Sequence, residues 1–263
     1  MAQDNTLTTV DSTAVDPYFE GVPKSTMCRR ISSGAAVDPY YEGVPDYMTE
    51  VYDWAYVNPK KVRLLDRNLV VRVLLFLNDQ RLMRAYLNEI RKGMRVWQVA
   101  HVYGDLVKRV AEKIGPQGVF HLTDVTPAQI EQAEHKLGDK PWCKVIRSDA
   151  ADFPGEKGID YDIICSFFLL HEVPEDKKYK IVDCMLEKLP KGGKAIFVDY
   201  SNPEKWQPVR YILKIVNHLL EPFANALWNN EISHYASKAK QFIWKKKTFF
   251  GGVYQCVIVR HKD

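Results

Sequence analysis

A series of apolar runs in this sequence each ends on a residue able to hold a ligand, move a proton or bind a cation. The run Arg95–Ala100 opens into His101–Asp105, Val119–Thr123 ends at Asp124, and Cys143–Arg147 is followed by Ser148-Asp149. Tyr161–Phe167 leads into Phe168-Leu-Leu-His171-Glu172, and Lys194–Asp199 ends on Asp199-Tyr200. A histidine beside an acid can act as a general base with its orienting partner, or can ligate a metal. Asp199, on a neighbouring run, adds a third donor suited to a hard cation or to proton transfer. One His–acid pair is not a metal motif by itself, and simple packing is the bland alternative. Asp124 and Asp149 suit hydrogen bonds to a ligand's hydroxyl and amino groups, with solvated loop acids as their alternative.

The stretch Val96–Asp105 has the pattern of a buried strand, a turn and a helix start. Where such a unit binds a nucleotide or a related cofactor, glycines let the backbone approach and leave helix N–H groups facing the ligand. Here only Gly104 fits a G-x-G-x-G spacing. Ala100 and Val102 stand in the other two places, and the uncharged Gln98 lies on the strand just before them. The position predicts a cofactor loop and the residues predict a modified one. A non-catalytic relative of the fold is the competing reading, and the populated rim of acids speaks against it.

These residues need elements to hold them. Apolar strands alternate with helices over about 105–114, 127–137 and 175–189, with Thr126 as a helix cap and Gly115 and Gly138 as stops. Such alternation predicts an α/β, doubly wound, parallel sheet with ligands beyond the carboxyl ends of its strands. Phe242–Phe249 and Val253–Val259 flank Gly251-Gly252 and predict a closing hairpin. This element order resembles the class I S-adenosylmethionine (SAM)-dependent methyltransferases, which implies a mostly parallel seven-stranded sheet.

Residues 43–93 predict a helical cap over a core at 94–263. Tyr47, Tyr52, Trp54 and Tyr56 divide between packing and pocket lining. Asn58-Pro59 supplies a cap and a first-turn proline. Val62, Leu65, Asp66, Leu69, Val70, Val73 and Leu77 follow with helical spacing, and a second helix runs over about 79–90. Residues 14–23 recur almost unchanged as 36–45, which predicts a duplicated, mobile extension over 1–42. Trp206–Trp228 predicts one long amphipathic helix, broken or kinked at Pro222, that either packs on the core or lies in a membrane interface.

The 263 residues are 46% hydrophobic and 27% charged, with a net charge of +4, and include five cysteines. That suits one large domain with a substantial core. The absence of long one-sign charge blocks speaks against a dedicated nucleic-acid binder. The cysteines match no zinc spacing and predict buried thiols in a reducing compartment. No apolar run predicts a membrane span, and acids at 4, 11, 16 and 20 argue against a transit peptide.

Several motifs together resemble a narrower group. Val44-Pro-Asp-Tyr-Met48, Trp54-Ala-Tyr-Val57-x-Pro59, Gln98-Val-Ala-x-Val-Tyr-Gly-Asp105, Phe167-Phe-Leu-Leu-His-Glu172, Gly192-Gly-Lys-x-x-Phe-Val-Asp-Tyr200, Leu220-Glu-Pro-Phe223 and Thr248-Phe-Phe-Gly-Gly-x-Tyr-Gln255 are similar to those of the rhodoquinone biosynthesis family RquA. The resemblance implies replacement of a ring methoxy group of ubiquinone by an amino group. It implies SAM as amino donor, with Mn2+, at the surface of a quinone-containing membrane, either mitochondrial inner or bacterial cytoplasmic. On that basis Val102, Tyr103, Gly104, Asp105, Asp124 and Asp149 are expected to hold SAM. Tyr56, His171 and Glu172 are expected to be catalytic, and His171, Glu172 and Asp199 to bind the metal. A conventional methyltransferase of a quinone or lipid-like aromatic, and a non-catalytic assembly factor, are the rival readings. The sequence leaves the oligomeric state open.

Overall fold

A computed structural model describes residues 38–262. Seven strands form one sheet in the order β3-β2-β1-β4-β5-β7-β6. Strands β1 (Arg95–Val99), β2 (Val119–Asp124), β3 (Cys143–Arg147), β4 (Ile163–Phe167) and β5 (Lys194–Tyr200) are parallel. The hairpin β6 (Phe242–Phe249) and β7 (Tyr254–His261) runs antiparallel, with Asp199 opposite Gln255. The expected sheet is therefore present, with most boundaries within two residues of those read from the sequence. Chain order reverses between β1 and β4, so their following loops diverge and open a crevice at their carboxyl ends.

The parallel strands are nearly continuous apolar runs because helices cover both faces. One face carries α4 (Asp79–Leu87), α5 (Leu106–Ile114) and α6 (Pro127–Leu137), packed through Leu82, Val107, Ile114 and Leu137. The other carries α7 (Glu175–Glu187), packed through Ile181, Val182 and Met185 against Trp97, Ile164 and Phe197. Trp97 is wholly buried and its Nε1–H donates to Thr123 Oγ1 at 3.0 Å, so the indole leaves no unpaired donor.

The N-terminal cap is more broken than its periodicity predicts. It comprises α1 (Asp46–Val51), one π-helical turn (Asp53–Val57), α2 (Pro59–Leu65) and α3 (Asn68–Leu74). Asn58 caps α2 as expected, its Oδ1 accepting from the Lys60 and Lys61 amides. The helical run then stops at Asp66, because that acid turns inward rather than lying on a solvated face. Leu69, Val73 and Leu77, which share the helical spacing of Val62 and Leu65, face solvent instead of the core. Thr126 precedes α6 but its hydroxyl donates to Asp124 rather than capping the helix.

Residues 38–42, expected in the mobile extension, are tied to the fold. Tyr40 Oη donates to Glu131, Tyr41 Oη donates to Asp53, and Arg147 donates to the Glu42 carbonyl. The first copy of the repeat lies outside the described residues. The predicted helix over 206–228 is shorter: α8 spans Val209–Leu219, the chain turns at Pro222, and α9 spans Ala226–Asn229. No helix among the described residues is long and apolar enough to cross a membrane. Cys165, Cys184 and Cys256 are buried free thiols, as expected.

Candidate active site

The carboxyl ends of β4 and β5 bring the proton-bearing side chains together. Phe168 leaves β4 with φ +56, a sharp turn that feeds the 3-10 turn Leu170–Glu172. His171 and Glu172 are thereby buried at 4% and 7% exposure. Asp199, near the end of β5, accepts from the Leu170 amide at 2.9 Å, the Tyr200 amide at 2.7 Å and His171 Nδ1 at 2.8 Å. Asp199 thus fixes the imidazole's orientation and leaves Nε2 facing Glu172 Oε1 at 3.5 Å. From the cap's π-turn, Tyr56 Oη donates to Glu172 Oε1.

Two further side chains complete this cluster, and the sequence reading did not assign them. Glu221, in the turn after α8, accepts from Tyr52 Oη at 2.8 Å. Lys178, wholly buried on α7, donates to the carbonyls of Val173 and Phe223 at 2.5 and 3.1 Å. It ties the Glu221 turn to the His171 turn. A signal for Lys178 was present: it falls on the same helical stripe as Ile181, Val182 and Met185, where a lysine needs internal acceptors. Glu221 lies in the motif quoted above, but nothing in its spacing points into the site.

Burial disfavours the His171 cation, yet the adjoining Asp199 carboxylate outweighs it and the imidazole pKa is pushed up to about 9. Burial raises Glu172 to about 8 against the opposing pull of His171. Burial also raises Glu221. Near neutral pH the cluster is therefore an imidazolium–Asp199 pair beside a carboxylic acid that releases its proton near pH 8.

Both His171 and Glu172 hold protons more tightly in the folded chain than at their ordinary values of 6.5 and 4.5. Their stabilisation is complete below those values and is lost as pH rises through about 8 and about 9. Urea unfolding is expected to show stability falling between pH 6.5 and 9, and falling less in His171→Gln. A wild-type stability that rises over that range would contradict the assignment.

The loop after β1 forms the other half of the rim. Ala100 adopts φ +73 and Gly104 φ +85, so the left-handed backbone persists at Ala100 although the glycine does not. Holding an L-residue there costs about 1 kcal/mol, and the loop is correspondingly braced. The Gly104 amide donates to Asp66 at 2.7 Å, and Asp66 also accepts from Gln132 and from Lys136 Nζ at 2.5 Å. Tyr103 Oη donates to the Ala55 carbonyl, and its ring stacks on Tyr56 with centroids 5.5 Å apart. The Val102 carbonyl accepts from Lys136, and Asp105 pairs with Arg109. Val102, Tyr103, Gly104 and Asp105 are the loop residues expected to hold SAM. Each makes a contact inside the protein: Tyr103 and Gly104 join the loop to the cap, Val102 joins it to Lys136 of α6, and Asp105 to Arg109 of α5.

Asp124 is also engaged: Oδ2 accepts from the His101 amide and Oδ1 from the Thr126 amide and hydroxyl, all at 2.9 Å. Asp149 accepts from Lys177 and from the Ala151 amide and lines an open cavity of about 630 Å³ with Gly43, Pro45, Val125 and Ser148. Beside the loop, Gln98 Oε1 and His101 Nε2 are buried without a partner among the described residues. Unpaired buried polar atoms are costly unless a ligand or water completes them. Together with the Asp149 cavity, they make this end of β1–β3 a fit for the polar groups of SAM.

The expected metal triad does not assemble. Both Asp199 oxygens accept from amides or His171, and His171 Nδ1 points at Asp199. The described residues contain no group of three or more His, Cys, Asp or Glu placed to hold an ion. His171, Glu172 and Asp199 form a hydrogen-bonded proton network rather than a coordination shell.

Residues 96–193 match a family described as a methyltransferase domain. Among curated proteins, the chain is similar to "Ubiquinone/menaquinone biosynthesis C-methyltransferase UbiE" of Idiomarina loihiensis, 28% identical over 43% of this chain and 45% of that protein. The Shewanella woodyi protein of the same description is 27% identical over 55% of this chain and 57% of that one. The chain spans about half the length of the curated relatives it matches. Among solved structures, human N-acetylserotonin methyltransferase in complex with SAM superposes with a TM-score of 0.55, 13% identity, and coverage of 84% of this chain and 64% of that one. The mitomycin 7-O-methyltransferase MmcR gives 0.56 and 15%, over 78% and 58%. The chain therefore has the class I SAM-dependent methyltransferase fold, and residues 96–193 are similar to a methyltransferase domain.

Proposed function

We propose that this chain is a SAM-using transferase acting on a ubiquinone-type ring, and that it replaces a ring methoxy group by an amino group. The observation that carries the reading is the Tyr56–Glu172–His171–Asp199 chain at the ends of β4 and β5, adjoining a SAM loop that has lost two of its glycines. The names of the curated relatives support methyltransferase-type chemistry in quinone biosynthesis. The methoxy-for-amino exchange rests on the motif resemblance and on the rebuilt loop.

Exchange of methoxy for amino forms a ring C–N bond to the SAM nitrogen and breaks the ring C–O bond, releasing methanol. The SAM N–Cα bond must then break, with loss of a Cβ proton leaving the remainder of SAM as an unsaturated acid. The incoming nitrogen must lose a proton and the departing methoxide must gain one. Glu172, with its pKa near 8, is suited to move a proton in either direction near neutral pH. Tyr56 orients it, and Asp199 keeps His171 charged beside it. Asp149, Gln98 and His101 would hold SAM, which supplies the transferred group.

The rebuilt loop supplies a test of its own. Ala100→Gly with Val102→Gly is expected to leave the fold intact but to lower the exchange rate, because the backbone would relax toward the glycine-rich form. Unchanged turnover, measured as aminoquinone formed per enzyme, would remove the loop from the account. A second reading, methylation of the quinone ring, is favoured by the C-methyltransferase names of the relatives. It needs a base for the ring proton, and Glu172 would again be the candidate.

A further inference from the structure

Helices α3 and α8 leave an apolar surface without a partner. Each packs on the same core cluster through one side, Val71 and Leu75 from α3, Val209 and Leu213 from α8. Their other sides are bare: Leu69 is 72% exposed, Val73 63%, Ile215 63% and Leu219 67%. The end of α3 and the start of α8 lie beside the same Phe250 turn. Phe76, just past α3, stacks on Phe250 at 6.2 Å, and the Phe250 carbonyl accepts from Gln207, just before α8, at 2.9 Å. Singly exposed apolar residues are ordinary on a protein surface, whereas a clustered set marks an interaction surface.

The charged residues on the two helices themselves share one sign. Arg72 is the only ionisable residue of α3; α8 carries Arg210, Lys214 and His218 and no acid. Exposed Arg72 and Lys214 are adjacent in sequence to exposed apolar residues. That combination complements negatively charged headgroups over an apolar interior. It disfavours a second copy of this chain, because a twofold contact through the same face would set Arg72 and Lys214 against a like-charged surface.

We propose that the α3–α8 face docks on an anionic lipid bilayer, with Leu69, Val73, Ile212, Ile215 and Leu219 entering the headgroup boundary. Aromatic contacts continue inward from it: Phe250 to Tyr254 at 6.4 Å, Tyr254 to Tyr200 at 5.5 Å, and Tyr200 to His171 at 4.8 Å. An apolar ring delivered from the bilayer would meet this path. That last link rests on the proposed function; the docking does not.

The test is sedimentation of the full chain with phosphatidylcholine vesicles, with and without phosphatidylglycerol, independent of any turnover. The wild type is expected to sediment with the phosphatidylglycerol vesicles and to be released by salt. I212S/I215S/L219S, at exposed positions, should bind at least about tenfold more weakly. R72E/K214E should lose the preference for phosphatidylglycerol, about fivefold per charge. Absence of wild-type binding, or equal binding by wild type and both variants, would overturn the proposal. So would a wild-type dimer that binds no vesicles and that the serine variant converts to monomers, since the face would then seat a second copy.

Discussion

Asp66→Ala is expected to cost about 3–5 kcal/mol of folding stability, the loss typical of stranding one charge of a buried pair. The Asp66 side chain is 2% exposed and its partner Lys136 6%, with Nζ 2.5 Å from Oδ1. Burial already lowers the Lys136 pKa, and Asp66 is the group that pulls it back. Asp66 also accepts from the Gly104 amide and from Gln132, so its loss strands three donors. Urea denaturation of wild type, Asp66→Ala, Lys136→Met and the double variant separates the terms. The double variant should be more stable than Asp66→Ala alone, because an apolar pair leaves no uncompensated charge. Strict additivity would show that the two residues do not act as a pair.

The same interaction has a functional consequence. Asp66 lies in the cap and Gly104 in the loop after β1, so this bond and Tyr103 to Ala55 set the loop by the cap. A glycine-rich loop would offer its amides to the ligand; here the Gly104 amide is taken by protein. Under the proposed function, a loop held in this way would present a different surface to SAM, the physical basis for expecting an altered transferred group.

The second large effect is expected at Glu172. Glu172→Gln keeps the size and the Oε1 that accepts from Tyr56, and it removes the titrating proton. If Glu172 moves a proton in the rate-limiting step, turnover falls by about 10²–10⁴-fold and KM changes little. The pH–rate limb near 8 should disappear with it. A variant that keeps wild-type turnover and that limb would take Glu172 out of the chemistry. Tyr56→Phe should lower turnover less, because the carboxyl group remains.

Much of the scaffold was legible in the sequence. The spans of β3, α6 and β6 match their predicted ranges; α6 opens on Pro127 and stops at Gly138, and β6 runs into the Gly251-Gly252 turn, local signals that fix an element's ends. The rim residues followed from the strand ends, and His171, Glu172 and Asp199 do meet there. Their roles were less legible, since a metal triad and a hydrogen-bonded chain use the same residue types. What separates them is that the Leu170 and Tyr200 amides satisfy Asp199, which no spacing reveals.

The cap was misread for a related reason. Asp66 sits on an apolar helical stripe, and periodicity alone continues the helix through it. Its pairing with Lys136, 70 residues away, ends α2 and reverses which side of α3 is buried. Long-range ion pairs and the partner turn of Glu221 are tertiary facts, and local pattern does not encode them.

The most direct test of the account is a mass measurement. The purified chain is incubated with ubiquinone and SAM, with and without Mn2+, and the quinone product is weighed by mass spectrometry. Exchange of a ring methoxy for an amino group predicts a product lighter than the substrate, formed by the wild type and lost in Glu172→Gln. A heavier, methylated quinone, or no change under any condition, would contradict it.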